Sequence, residues 1–108
     1  MLVLFDQGTP VGIRRYLEHH TVKTALEQGW SRLENGDLLR EAEKAGFDVL
    51  LTTDKNMSHQ QNLSQRKIAI VSLGRNRWSL IRPFLDRIVK AVDAAKPGTH
   101  VIVEIPGR

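Results

Sequence analysis

With 108 residues, 41% of them hydrophobic, the chain suits one domain closed around one core, and it holds no repeat or Ser/Pro/Gly-rich tract that would argue for a solenoid or disorder. The absence of cysteine excludes disulfides and thiolate metal sites and points to a reducing cytoplasm; short apolar runs and no visible secretory leader argue against a membrane partner or export. Sixteen Lys and Arg against twelve Asp and Glu give +4, a balance that admits a polyanionic partner without requiring one.

In chain order, Leu2–Phe5 is a continuous apolar run of strand length, the pattern of a strand covered on both faces. Gly8-Thr9-Pro10 then signals a turn, with Thr9 as a helix N-cap and Pro10 at the first helical position. Val11, Ile13, Tyr16 and Leu17 give a short amphipathic helix. His20–Thr24 reads as a weak strand and Ala25–Glu34 as an irregular connection. Asn35 and Gly36 open a second helix, on which Leu38, Leu39, Ala42 and Ala45 recur at helical spacing, and Gly46 suits its left-handed stop. Val49–Thr53 and Ile68–Leu73 are further buried-type strands, separated by the polar segment Lys55–Lys67. Trp78–Ala95 is expected as the longest helix, striped by Ile81, Phe84, Leu85, Ile88 and Val92, with Pro83 blurring its start. Pro97-Gly98 turns the chain into a last strand, Val101–Ile105, at a sheet edge whose apolar residues are able to pair two copies.

This alternation predicts a single domain over residues 1–108 with an α/β fold: a three-layer α/β/α sandwich on a mostly parallel sheet of four to five strands. Parallel strands joined by right-handed crossovers present their carboxyl ends at one edge, where the ligands of open α/β sheets collect. Asp6 and Asp54 each follow an apolar strand, so both belong to that edge. If those strands are neighbours, their backbones run about 4.8 Å apart and the two carboxylates face one pocket. Like charges so placed repel, and a divalent cation between them keeps both ionised. Taken singly, each acid also suits an ordinary turn or cap. Asp37, in the first turn of the second helix, is a candidate third acid, although the helix dipole alone accounts for an acid there.

The stretches FDQGTP, NGDLLREAEKAGFDVLLTTDKN and IAIVSLGRNRWSLIRP, in this order from Leu2 to about Pro83, resemble the compact PIN-like family described as nucleases of toxin–antitoxin systems. The resemblance implies a PIN-like fold and Mg²⁺- or Mn²⁺-dependent cleavage of phosphodiesters, usually of single-stranded RNA, with an antitoxin protein as partner. Position by position, it makes Asp6, Asp37 and Asp54 the catalytic, metal-binding acids. The chain departs from the family pattern at Gln7, where many relatives carry an acid, and at Asn56, where many carry a second aspartate. Asn56 keeps a carbonyl oxygen for the metal or for a water, and Mg²⁺ usually takes one or two carboxylates with waters and phosphate oxygens.

Arg75, Arg77 and Arg82 follow the strand Ile68–Leu73 and are expected on phosphate oxygens. Trp78 either stacks on an unpaired base or anchors the long helix. Gln7, His59 and Gln60 are expected to line the site, the last two within a polar segment that resembles one in close relatives. The favoured reading is a metal-dependent ribonuclease. The alternative is a PIN-like module that acts by binding protein or nucleic acid, favoured by Gln7 and Asn56. A phosphoacceptor receiver needs an acidic pair after the first strand and a lysine after the last, and this chain has Asp6-Gln7 and Pro106-Gly107-Arg108 there.

Overall fold

A computed structural model describes residues 1–54 and 66–106. Strands β1 (Leu2–Phe5), β2 (Thr21–Thr24), β3 (Val49–Thr52), β4 (Ala69–Leu73) and β5 (His100–Val103) form one sheet in the order β2-β1-β3-β4-β5. Every neighbouring pair is parallel. The helices are α1 (Asn35–Lys44), α2 (Trp78–Ile81) and α3 (Leu85–Asp93); one 3-10 helix, Val11–Tyr16, lies between β1 and β2 and another, Arg82–Phe84, joins α2 to α3. The α/β sandwich is therefore as expected, and the sheet is wholly parallel. Among the described residues no helix is long and apolar enough to cross a membrane.

The burial of each strand follows from its place. β3 and β4 are central and buried at every residue, so they carry unbroken apolar or hydroxyl-bearing side chains, whereas the edge strand β2 alternates exposed and half-buried positions. Alternation of side chains across the pleat then builds two cores. On one face Val3, Phe5, Val49, Leu51, Val71 and Leu73 meet Ile13, Ile81, Ile88 and Val92. On the other Leu4, Leu50 and Ile70 meet Leu38, Leu39 and Ala42 of α1, and Phe47 receives Trp30 edge-on at 5.9 Å between ring centroids. Each such aliphatic or aromatic side chain contributes about 1.5–3 kcal/mol by leaving water. Gly46 ends α1 at φ 87°, a left-handed conformation that side chains on Cβ disfavour.

Several local expectations are corrected. The helix expected over Trp78–Ala95 is broken into α2, the 3-10 turn and α3, because Pro83 lacks the N–H that a continuous helix needs. Thr9 does not cap the following helix: Pro10 holds the cap position without a side-chain bond, and the Thr9 hydroxyl is used at the site described below. His20 lies in the turn before β2 rather than on a strand, where its Nε2 stands 2.6 Å from Asp93 Oδ1 and ties that turn to the end of α3.

The right-handed rule is also not uniform. The chain steps from β2 across to β3 over the face of α1, and from β4 to β5 in the same direction over the opposite face, that of α3. Crossovers that step alike over opposite faces have opposite hands. The β1-to-β2 connection shares the hand of β2-to-β3 and differs from that of β4-to-β5, so a single hand does not hold throughout the sheet. The reward of the β4-to-β5 crossover is coverage: without α2 and α3, the face of Phe5, Leu51 and Val71 would be covered, among the described residues, by the six-residue 3-10 helix alone.

Candidate functional site

The strand order reverses at β1 and β3, and the carboxyl ends of those two strands lie side by side. Phe5 pairs with Leu51, and the Asp6 N–H donates to the Leu51 carbonyl at 3.2 Å, which carries the ladder one residue past β1. Asp6 thereby stands beside Thr52. Because side chains alternate, Asp6 and Thr52 share the face of Leu4 and Leu50, at the point where that core gives way to solvent.

Two buried threonines hold the Asp6 carboxylate. Thr52 donates its hydroxyl to Asp6 Oδ2 and accepts the Asp54 N–H at 3.0 Å, so one hydroxyl ties the Asp6 carboxylate to the backbone of Asp54. The Thr9 hydroxyl sits 2.6 Å from Asp6 Oδ1 and 2.9 Å from the Leu51 carbonyl oxygen, and its single proton serves one of them at a time. Among the described residues no Lys, Arg or His forms an ion pair with Asp6. Asp54 Oδ2 accepts the Asn35 side-chain amide at 3.0 Å. Asn35 opens α1 and lines, with Asp6, Gln7, Trp30 and Ser31, a pocket of about 140 Å³. Behind Asp54, the buried Ser72 hydroxyl lies 3.0 Å from His100 Nε2 and 3.5 Å from the Asp54 carbonyl oxygen. Gly8 permits the tight approach of the two strand ends, since a Cβ there would stand 2.8 Å from Thr53 Oγ1.

Thr53 also borders a second pocket of about 270 Å³ at the same edge, formed with Gly74, Arg75, Asn76, Arg77 and Leu80. Both arginines are exposed, and Arg75 Nε makes only a long 3.5 Å contact with the Ile105 carbonyl oxygen. Two guanidinium groups therefore open onto the edge that carries the acids.

Of the residues expected from sequence, Asp6 and Gln7 line one pocket, Asp54 is tied to it through Asn35, and Arg75 and Arg77 line the pocket that Thr53 borders. Asp37 does not line the pocket of Asp6: its side chain is 54% exposed and ion-paired with Arg40 on α1. Among the described residues no three His, Cys, Asp or Glu side chains converge as a metal-ligand group. Arg82 lines a different groove, of about 520 Å³, with Tyr16, Pro83 and Val89. Trp78 is half-buried with its ring over Gly12, 3.0 Å from where a Cβ would lie, so it anchors α2 on the 3-10 helix. Asn56, His59 and Gln60 lie outside the described residues. Sequence reasoning missed Thr9, Thr52 and Asn35. For Thr52 a signal existed in Leu50-Leu51-Thr52-Thr53-Asp54, an apolar strand that turns hydroxyl-bearing just where its neighbour's acid stands.

The donor set suits a hard cation. A carboxylate offers about four lone-pair positions, so one hydroxyl on each Asp6 oxygen leaves room for an ion on the same group. Asp6 and Asp54 supply oxygen ligands only, the type that Mg²⁺ and Mn²⁺ favour. The Asp54 carboxylate is linked to the pocket of Asp6 through Asn35, and among the described residues no three such side chains gather as a ligand group. Comparison with known proteins adds nothing to this geometry: no family model, curated protein or solved structure matches the chain.

Proposed function

We propose that the protein is a divalent-metal-dependent ribonuclease of the toxin–antitoxin type, acting in the cytoplasm on single-stranded RNA, with Asp6 and Asp54 as its metal-binding carboxylates. The observation that carries this reading is that Thr52 holds the Asp6 carboxylate and the Asp54 backbone N–H at the switch point of the sheet, while Asn35, which lines the pocket of Asp6, holds the Asp54 carboxylate. The PIN-like resemblance supports it independently, since it assigns a role to the same two acids.

In this reading the ion, Mg²⁺ or Mn²⁺, supplies a Lewis acid and an activated water. The chain's own residues do the rest. Thr9 and Thr52 fix the orientation of the Asp6 carboxylate, and Asn35 fixes that of Asp54. Arg75 and Arg77 receive phosphate oxygens of the substrate and offset the negative charge that builds up during attack. Asp37, exposed and paired with Arg40, is assigned no ligand role in this reading.

Purified protein with Mn²⁺ or Mg²⁺ is expected to cut single-stranded RNA, and Asp6→Asn to abolish cutting. Cleavage that persists in both Asp6→Asn and Asp54→Asn ends the proposal. The absence, among the described residues, of a three-membered metal-ligand group, with Gln7 beside Asp6, favours a second reading as a binding module. RNA binding that is insensitive to EDTA, without cleavage at any metal concentration, would select it.

A further inference from the structure

β5 closes one side of the sheet, and among the described residues no strand lies on its outer edge. The direction of its backbone groups follows from the ladder. Ile70 lies opposite His100 and donates its N–H to the Thr99 carbonyl at 2.9 Å. Thr99, Val101 and Val103 therefore turn their N–H and C=O groups toward β4, and His100, Ile102 and, one residue past the strand, Glu104 turn theirs outward. The strand's own side chains do little to guard the edge, and beyond its end the Glu104 carbonyl, which already accepts from the Arg87 guanidinium at 3.0 Å, keeps a second lone pair. Val101 and Ile102 are 41% and 43% exposed on opposite faces, and the run Thr99–Ile105 contains no lysine, arginine or proline. On the opposite edge β2 exposes Lys23, a common device against strand addition.

We propose that β5 pairs antiparallel with β5 of a second copy, about a two-fold axis at Ile102, so that one sheet runs through both molecules. A two-fold contact must complement itself, and this one does. With the axis at Ile102, every opposed pair that exchanges backbone hydrogen bonds is drawn from the outward-facing set: Ile102 with Ile102, His100 with Glu104. One face stacks isoleucine on isoleucine, and on either side the exposed Glu104 lies across from His100, whose Nε2 stays 3.0 Å from the Ser72 hydroxyl. The other sets Val101 across from Val103. Moving the axis to His100 would oppose two imidazoles and leave Ile102 against Gly98; moving it to Val103 would oppose Ile102 with Glu104. The contact involves few residues, well below the roughly 800 Å² per partner of a stable interface, so association is weak and depends on concentration. The proposal does not depend on the metal site.

Sedimentation velocity of the full chain, from micromolar to millimolar concentration, tests it. The apparent mass should climb toward twice that of the monomer. Ile102→Pro removes an outward N–H and leaves the ladder to β4 intact, so it should stay monomeric with the wild-type melting temperature. Ile102→Lys, which keeps the backbone, should also stay monomeric and decides the matter if the proline variant folds poorly. A wild-type chain that remains monomeric throughout, or a dimer that survives Ile102→Lys, overturns the proposal.

Discussion

β3 is flanked by aspartates at both ends, and they do different work. At its amino end the Asp48 carboxylate accepts the Leu2 N–H at 2.8 Å, while the Asp48 N–H donates to the Leu2 carbonyl at 2.8 Å. That acid closes the ladder between β1 and β3. At the carboxyl end Asp6 and Asp54 meet no such opening. A parallel strand leaves N–H groups unpaired where it starts and carbonyl groups unpaired where it stops, and a carboxylate can pair only with the former. Acids at the stopping end must be balanced by hydroxyls, amides or a cation, and here Thr9, Thr52 and Asn35 supply the neutral donors. The position of an acid along a parallel strand thus separates a structural role from one that invites a ligand.

Exchanging the roles gives the largest effect. Asp6→Asn should lower metal-dependent RNA cleavage by about 100-fold or more, since even the outer partners of metal ligands are worth 10–100-fold. Asp48→Asn should leave cleavage near wild type, and equal losses in initial-rate assays would erase the distinction. Thr52→Val comes next. It leaves both Asp6 Oδ2 and the Asp54 N–H without their shared partner, and chemical denaturation should show a loss of about 1–3 kcal/mol. Asp48→Ala removes one exposed hydrogen bond, so its denaturation midpoint should fall by the equivalent of about 1 kcal/mol without change in activity.

The smallest effect concerns an acid that belongs to the scaffold. Burial favours the neutral form of Glu43, but hydrogen bonds from the Arg66 guanidinium and the Lys67 N–H, with both positive charges, hold its carboxyl below the ordinary glutamate value of 4.5. A carboxyl held low when folded takes up protons more readily when unfolded. Its contribution is complete above 4.5 and is lost as the pH falls through the lower folded value. Glu43→Gln should therefore flatten the decline of melting temperature on acidification, and an unchanged slope would show that the pair with Arg66 is spent in water.

The parts of the molecule legible in the sequence were those set by local pattern. The apolar runs marked β1, β3 and β4, Gly46 marked the end of α1, and the two strand-end acids followed once the sheet was taken as parallel. What was hidden depends on residues far apart in the chain. Thr9 looked like a cap because caps are local, yet its hydroxyl turns back to Asp6 and to Leu51 on another strand. Thr52 looked like one more residue of its strand, and its partner Asp6 stands just past the end of β1. The hand of the β4-to-β5 crossover depends on which face still needs covering, a property of the assembled sheet.

The most direct test is a Mn²⁺ titration of the wild-type protein and of Asp6→Asn, Asp54→Asn and Asp48→Asn, followed by calorimetry without any RNA. One saturable site in the wild type, retained in Asp48→Asn and lost in both other variants, is the expected result. Unchanged Mn²⁺ affinity in Asp6→Asn or Asp54→Asn would contradict the shared cleft on which the functional reading rests.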